Sequence, residues 1–190
     1  MRYKDEHKKE SIIKATIKLV NDIGFVSSSV SKIAKEASVS PATIYIYYKN
    51  KDDLLVSTYI EIKKKIGMAL LKDFDDTLPL KDTLLRSWKN GFFYIAENPG
   101  LFQFTEQFSY SPYGELVDKK DVEKYFEPII KVLQTGIEQK IIKNVNFDIL
   151  TTFIFFPVMI LSNTRLCSNF EINEDNIETA FSLAWDAIKL

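Results

Sequence analysis

The sequence is poor in the residues from which disulfide-bonded and metal-dependent proteins are built. Its 190 residues include one cysteine, Cys167, and one histidine, His7. A single cysteine excludes an intramolecular disulfide, and a single histidine excludes a metal site with several histidine ligands. The six glycines are isolated and never have the spacing of a phosphate-binding loop. We therefore expect neither a metal nor a cofactor.

Long apolar segments are also lacking. The most apolar run, residues 149–161, is interrupted by Thr151, Thr152 and Pro157. At about 13 residues it is shorter than the roughly 20 that a membrane-spanning helix needs, so it predicts a buried helix. No apolar segment followed by a cleavage site of small residues opens the chain. We expect a cytoplasmic protein that does not interact with a membrane.

Neither sign of charge predominates overall, but the charges are unevenly distributed. Up to Lys65 there are 13 lysines and arginines against 8 acidic residues, a net +5; the remainder has 12 against 18, a net −6, which gives −1 for the whole chain. Lysine and arginine displace the counterions condensed on DNA, so a basic N-terminal third is typical of a protein that approaches phosphate with that part. Chance clustering of solvated lysines gives the same asymmetry.

Helical periodicity, by contrast, is present almost everywhere. An apolar stripe that ends at Gly24 predicts a first helix, formed around Ile13, Ile17, Val20 and Ile23. The serines at 27–29 predict the cap of a short second helix, whose buried face is Val30, Ile33, Ala34 and Ala37. Ser40 and Pro41 repeat this start signal for a third helix, and Asn50 with Asp53 predicts the cap of a long fourth one.

The third helix has an outer face that is too apolar for a simple solvated helix. With Val39, Ile44 and Tyr48 assigned to the buried side, the outer face consists of Pro41, Ala42, Thr43, Tyr45, Ile46 and Tyr47. Short side chains let the start of a helix approach base edges, and tyrosine hydroxyls can bond phosphates. Two short helices with a tight link, packed on a longer one, seat a helix in the major groove. Residues 29–51 therefore predict a helix-turn-helix.

This part of the chain resembles the DNA-binding domain of the TetR/AcrR family. The matching positions are Gly24, Phe25, Ser28, Ser29, Val30, Ile33, Ala34, Ala37, Val39, Ser40, Thr43, Ile44, Tyr45, Tyr47, Tyr48 and Lys49 to Leu55. The resemblance implies an all-α dimer of about nine helices, with a three-helix helix-turn-helix DNA-binding domain at 1–50 and a helical effector-binding and dimerisation domain at 51–190. It also implies a transcriptional repressor that leaves a palindromic operator in double-stranded DNA when a hydrophobic or aromatic small molecule binds.

The resemblance assigns roles to individual residues of the helix-turn-helix. Ser28 or Ser29 would bond a phosphate at the start of the second helix. The positions nearest the bases would be Ser40, Pro41, Ala42 and Tyr45, with Ile46 beside them, and the flanking backbone would be held by Thr43, Tyr47 and Lys51.

The chain departs from the family pattern in and around the third helix. The family often has glycine at the positions of Ser38 and Ala42, a basic residue at that of Pro41 and histidine at that of Ile46. These differences concern base preference rather than DNA binding. Because the helix has no arginine, we do not expect it to read guanine through a bidentate contact.

The remainder of the chain is rich in aromatic residues, which account for most of the 14 Phe, 9 Tyr and 2 Trp. Ligand pockets are largely apolar and aromatic, so we expect an effector pocket here. Its predicted lining is Ile66, Leu70, Trp88, Phe92, Phe104, Phe108, Phe126, Phe156, Pro157 and Ile160. A close-packed core without a pocket is the alternative for each of these residues.

The last two helices, predicted near 147–167 and 174–190, are the candidates for dimerisation. The predicted interface consists of Phe155, Met159, Ile177, Phe181, Ala184, Trp185 and Ile188. An intrachain core and a dimer contact both require such a stripe. Two operator half-sites one helical turn apart require a dimer.

Two other classes of protein are compatible with parts of the sequence. One is a helical ligand-binding protein with a vestigial DNA-reading domain. The other is a cofactor-free enzyme, which would have to use Cys167 and His7, residues far apart in the sequence. Cys167 is otherwise a small buried residue or a thiol sensor.

Overall fold

The computed structural model describes residues 5–190 and confirms the predicted all-α fold class. The helices of this part are α1 (Glu6–Ser27), α2 (Val30–Glu36), α3 (Pro41–Tyr47), α4 (Lys51–Leu70), α5 (Leu80–Glu97), α6 (Pro99–Ser109), α7 (Lys119–Glu123), α8 (Glu127–Glu138), α9 (Phe147–Leu161) and α10 (Glu174–Ile188), with a short 3-10 helix (Pro112–Leu116) before α7.

The start and stop signals of the first four helices act where the sequence predicts them. Gly24 has φ 76° and ψ 168°, a conformation that breaks the helical path of α1 and favours glycine. Ser29 and Ser40 cap α2 and α3, since their side chains accept from the backbone N–H of Lys32 and Thr43. Each cap satisfies a donor that the helix itself leaves free.

The start of α4 shows the predicted cap, in an arrangement that resembles a capping box. The Asn50 side chain accepts from the backbone N–H of Asp53 at 2.8 Å, and the Asp53 carboxylate accepts from the backbone N–H of Lys49 at 2.7 Å. This reciprocal arrangement fixes the chain between α3 and α4, and so orients the end of the third helix.

The described chain forms two compact units. Of the described residues, the first contains 5–63 and Gly100–Asp121, and the second contains Lys64–Pro99 and Val122–Leu190. Most of α6 and the start of α7 thus belong to the unit that contains α1 to α3. The sequence division at 50/51 separates two predicted functions and does not coincide with these units.

The first unit has a small core under α2 and α3. It is built from Ile12, Ala15, Ile33, Ala34, Ala37, Ile44, Tyr48 and Leu54, with Leu19, Val30, Val39 and Tyr47 packed against it. The helical repeat alone predicts the inward direction of Ile33, Ile44 and Tyr48, and the structure confirms it.

A second cluster in this unit is aromatic. Phe104 and Phe108 of α6 are fully buried and stack with ring centroids 6.0 Å apart. Phe25, which follows the break in α1, meets both rings edge-on, and Tyr59 of α4 stacks on Phe108 at 4.4 Å. These contacts attach α6 to the last turn of α1 and to the middle of α4 within the unit.

The core of the second unit lies between α5, α9 and α10. The indole N–H of Trp88 donates to the carbonyl of Ile154 at 2.7 Å, which joins α5 to α9. Trp88 also meets Phe181 of α10 edge-on at 5.9 Å. At the surface, Lys89 is paired with Glu174 and Glu178, each at 2.6 Å. Helix α9 continues through Pro157 to Leu161.

Candidate DNA interface and effector site

The link between α2 and α3 is a tight turn in which one residue has an unusual backbone conformation. Ser38 has φ 56°, in the left-handed region that glycine favours. The amide of Ser38 donates to the carbonyl of Lys35 at 3.1 Å, and that of Val39 donates to the carbonyl of Ala34 at 2.9 Å. These bonds hold a serine where the family often has glycine, and they set the angle between the two helices.

The outer face of α3 is presented to solvent. Pro41, Ala42, Tyr45 and Ile46 are exposed, with 55% of the Tyr45 surface accessible, while Ile44 lies inside. Thr43 is half-buried, and its hydroxyl shares a hydrogen bond with that of Ser40 at 2.9 Å. A helix with short residues at its start and an apolar exposed face can approach the floor of a major groove, where thymine methyls are found.

The two serines predicted to contact phosphate have different surroundings. Ser29 is exposed at the start of α2. Ser28 is fully buried, and its hydroxyl donates to the carbonyl of Gly24 at 2.7 Å. The prediction of a phosphate contact at Ser28 does not fit this burial, because its hydroxyl closes the end of α1 instead.

Tyr47 is half-buried, and its hydroxyl is bound within the chain. It accepts from the backbone N–H of Asp5 at 2.9 Å and donates to the carbonyl of the same residue at 3.1 Å. The side chain of Asp5 in turn caps α1 by accepting from the N–H of His7. Tyr47 therefore attaches the start of α1 to the end of α3. The Tyr47 hydroxyl could donate a hydrogen bond to a phosphate only if its hydrogen bond to the carbonyl of Asp5 were broken.

Lys51 is also engaged within the chain. Its ammonium donates to the carbonyl of Phe25 at 2.5 Å, where α1 ends. An ammonium has three N–H donors, so this contact leaves two for a phosphate. The predicted role of Lys51 is therefore compatible with its position.

Tyr48 is the buried neighbour of these groups, and its hydroxyl has no hydrogen-bond partner among residues 5–190. Only 4% of the residue is exposed. Burial, and then the charges of Glu61, Asp53 and Glu6, raise the pKa of the phenol well above its ordinary value. Tyr48 therefore stays neutral and acts as part of the core.

The predicted effector-pocket residues are divided between the two units. Trp88 and Phe92 are fully buried in the core of the second unit, and Phe104 and Phe108 are close-packed in the first unit. Phe156 is more than half exposed on α9. The others, Ile66, Leu70, Phe126, Pro157 and Ile160, are half-buried or buried in the second unit.

A cavity does occur in the second unit, at a place that the sequence does not indicate. It has a volume of about 900 Å³ and lies between the segment 74–80, the first turn of α5 and one face of α8. None of the ten predicted pocket residues lines it. The sequence signal for it is weak, because its apolar residues are spread over three segments and are few in each.

The predicted dimer stripe on α10 faces the interior of its own chain. Ile177, Phe181, Ala184, Trp185 and Ile188 are all buried there. Phe155 and Met159 of α9 are half-buried. The interface prediction for α10 is therefore wrong for these five residues, since a surface already buried within one chain cannot be buried again by a second.

Different apolar residues of α9 and α10 are exposed. On α9 they are Ile149, Phe153 and Phe156, which share one face because they are spaced by four and three residues. Leu183 of α10 and the C-terminal Leu190 are also exposed, with 69% of the Leu183 surface accessible. Exposed apolar patches of this kind mark interaction surfaces.

Two further features of residues 5–190 concern function. No helix in this range is both long and apolar enough to span a membrane. No cluster of three His, Cys, Asp or Glu side chains within it could hold a metal ion.

Comparison with known proteins adds to this geometry. Residues 12–58 match the family model described as bacterial regulatory proteins, tetR family, and residues 79–189 match the one described as tetracyclin repressor-like, C-terminal domain. An uncharacterized HTH-type transcriptional regulator of Haemophilus influenzae is 30% identical over 182 residues, which are 95% of each chain.

Solved structures agree over nearly the whole chain. A TetR family transcription regulator from Marinobacter aquaeolei VT8 is 35% identical with a TM-score of 0.89, over 100% of this chain and 99% of that one. The transcriptional regulator FadR from Bacillus subtilis, in complex with stearoyl-CoA, is 23% identical with a TM-score of 0.70, over 93% of this chain and 95% of that one. At this identity the second structure shows a shared fold.

Proposed function

Because this chain belongs to the TetR family of bacterial regulatory proteins and is a DNA-binding transcriptional regulator rather than an enzyme, we propose that it is a repressor of the ligand-released kind. A homodimer occupies a palindromic operator and leaves it when a hydrophobic small molecule binds the second unit. The observation that carries the proposal is the exposed, nearly uncharged face of α3 on a capped and tightly linked pair of helices.

In this proposal some residues of the helix-turn-helix contact bases and others contact phosphates. Those nearest the bases are Ser40, Pro41, Ala42, Tyr45 and Ile46. Ser29 and Thr43 contact the flanking phosphates, together with the two free donors of Lys51. Tyr47 contributes by attaching the start of α1 to α3. It contacts phosphate only if its hydrogen bond to the carbonyl of Asp5 is replaced by one to the phosphate.

The dimer is proposed to form through the exposed apolar face of α9 and α10, which contains Ile149, Phe153, Phe156 and Leu183. A two-fold axis between two copies of this face pairs like with like, as an isologous interface requires. The two helix-turn-helices related by that axis then bind two operator half-sites about one helical turn apart.

Release requires that the ligand favour a conformation that does not fit the operator. The neighbouring FadR structure contains stearoyl-CoA. That complex supports a small molecule with a large apolar part as the effector class for this chain as well.

DNA binding is tested by fluorescence anisotropy with labelled fragments from the promoter of the protein's own gene, over a range of salt concentrations. We expect tight binding to one fragment that weakens steeply with salt, because phosphate contacts release counterions. Equal, weak binding to all fragments with a flat salt dependence would refute the proposal. A reporter assay that shows higher transcription on deletion of the gene distinguishes a repressor from an activator.

The reading face is tested with Tyr45→Ala, for which we expect a loss of operator affinity of about tenfold, the effect of removing one good base contact. The matched control is Tyr110→Ala, because Tyr110 is also exposed but lies at the end of α6. Equal affinities of the two variants would remove Tyr45 from the proposed site.

The dimer face is tested with Leu183→Glu, which places a charge on the proposed contact. Sedimentation should show a monomer with unchanged helix content, and operator affinity should fall. Leu116→Glu is the matched control, since Leu116 is exposed in the other unit. A Leu183→Glu protein that remains dimeric would place the interface elsewhere.

A further inference from the structure

The cavity of the second unit is a cleft with an apolar floor. Its apolar lining comes from the segment before α5, the start of α5, one face of α8 and the turn after α8, and consists mainly of Phe74, Leu78, Leu80, Pro128, Val132 and Ile141. The lining face of α8 runs from Glu127 to Gln139, a length of about 18 Å at 1.5 Å per residue. The cleft has a volume of about 900 Å³, which lies within the range of binding sites for small molecules. The cleft therefore fits an elongated apolar molecule.

Two of the three threonine hydroxyls that line the cleft, those of Thr77 and Thr83, donate to acceptors within the protein. Thr77 donates to the Asp75 carboxylate at 2.6 Å. Thr83 is buried and donates to the carbonyl of Asp75 at 3.1 Å. A hydroxyl has one proton, so what these two threonines retain for a ligand is acceptor capacity. A ligand that donates hydrogen bonds fits them better than one that accepts.

The charged groups that line the cleft favour the same kind of ligand. Lys131 forms an ion pair with Glu127 at 2.7 Å, one turn away on α8. Asp76 is exposed, and among residues 5–190 its carboxylate has no ion-pair partner. The remaining unpaired charge is therefore negative. A cationic group is attracted to it, and a carboxylate is repelled.

We propose that this cleft binds a lipophilic amine, a molecule with an extended apolar body along α8 and one protonated amino group beside Asp76. The identification of this ligand as the effector rests on the proposed function, but its binding does not. An alkyl ammonium is protonated at neutral pH, as a lysine side chain is. It supplies the donors that Thr77, Thr83 and Asp76 lack, while its chain covers the apolar floor.

The experiment compares three probes of equal chain length, dodecylamine, dodecanol and dodecanoate, each below its micelle concentration. Isothermal titration with the full-length protein at pH 7 measures the affinities. We expect the amine to bind most tightly, the alcohol less tightly and the carboxylate least. A carboxylate that binds as tightly as the amine would overturn the proposed ligand class.

Two kinds of variant locate the site. Asp76→Asn should weaken amine binding by about fivefold, the scale of one partly exposed charge pair, and leave alcohol binding unchanged. Asp73→Asn is its control, because Asp73 is an exposed acid of the same segment that does not line the cleft. Equal effects of both variants would show a general charge effect and overturn the role of Asp76.

Filling the cleft should abolish binding of all three probes. Val132→Trp fills it from the middle of α8, with Val145→Trp as the control outside the cleft. Thr135→Phe fills it from an exposed position, so the test remains decisive if Val132→Trp does not fold. Amine binding that persists in a folded filled variant would overturn the site.

Dissociation of the operator complex by the amine distinguishes a failure of this inference from a failure of the proposed function. Dodecylamine should dissociate the complex of the unmodified protein and leave that of Thr135→Phe intact. If the amine binds the cleft without affecting the operator complex, the binding site stands and ligand-controlled release through it fails. If it neither binds nor dissociates the complex, the inference is wrong, whatever the outcome of the DNA-binding test.

Discussion

The unpartnered hydroxyl of Tyr48 leads to a prediction that runs against the usual effect of a core substitution. Replacement by phenylalanine, Tyr48→Phe, removes one buried oxygen that has no hydrogen-bond partner in the described chain, from a side chain of the core that also contains Ile33 and Ile44. Most core substitutions destabilise a protein. This one should stabilise it, because it removes a polar group that loses its hydration on folding and gains nothing in return.

The size of the effect follows from the burial of the hydroxyl. A buried polar group without a partner costs about 1–3 kcal/mol. The space left by one oxygen atom removes some dispersion contacts, so we expect the free energy of unfolding to rise by about 1 kcal/mol. In a chain of this size such a change corresponds to an increase in Tm of about 2–4 °C.

The pH dependence of stability gives an independent check. The ordinary pKa of a tyrosine is 10.0, and burial raises the pKa of Tyr48. Below pH 10 the phenol is neutral in both the folded and the unfolded chain, so this shift has no effect on stability. As the pH rises above 10, only the unfolded chain ionises, and stability is lost. The Tyr48→Phe protein should therefore lose stability less steeply above pH 10 than the unmodified protein.

Urea unfolding, followed by circular dichroism at pH 7 and at pH 10.5–11.5, measures both effects. Tyr45→Phe is the control: the same atom is removed from an exposed side chain, where a change within about 0.5 kcal/mol is expected. The reasoning would be refuted if Tyr48→Phe lowered the free energy of unfolding by as much as it is expected to raise it. Such a result would show that the hydroxyl is hydrogen-bonded in solution.

Three further predictions concern single contacts. Ser38→Gly should raise the free energy of unfolding by about 1 kcal/mol, because φ 56° carries a steric penalty for serine, and a lower Tm would contradict this. Trp88→Phe should lower it by about 2 kcal/mol, since the buried hydrogen bond to Ile154 is lost along with ring contacts; an unchanged urea midpoint would show that this bond contributes little. Tyr47→Phe should speed amide exchange in the first turn of α1 about fivefold in the free protein, as loss of a hydrogen bond of about 1 kcal/mol predicts. If only operator affinity changes and the exchange of that turn does not, Tyr47 acts on phosphate and not on Asp5.

The limits of α2 and α3 and the start of α4 could be predicted because their signals are local. Gly24 breaks α1, Ser29 and Ser40 cap α2 and α3, and Asn50 caps α4, each through neighbours within four residues. Hydrogen bonds of this range depend on the sequence nearby and hardly on the remainder of the fold.

The roles of Ser28 and Tyr47 could not be predicted in the same way. Ser28 stands next to Ser29 and has the same side chain, but the break at Gly24 turns it inward. The bonds of Tyr47 join residues 42 positions apart, and no spacing in the sequence predicts such a pair. Only the packing of α1 against α3 brings the phenol to the backbone of Asp5.

By itself, the sequence determined the starts of α2, α3 and α4 and the buried faces of α2 and α3, because capping hydrogen bonds and the 3.6-residue repeat depend on nearby residues. It also determined the face of α3 that stays outside, with Tyr45 in it. The tertiary structure decided which element each buried face meets. Phe104 and Phe108 belong to the unit of the helix-turn-helix, Ile177 and Trp185 face their own chain, and Leu183 is exposed. The physical reason is that an apolar stripe fixes a direction around its helix axis, whereas its neighbour is selected by how all the helices pack together.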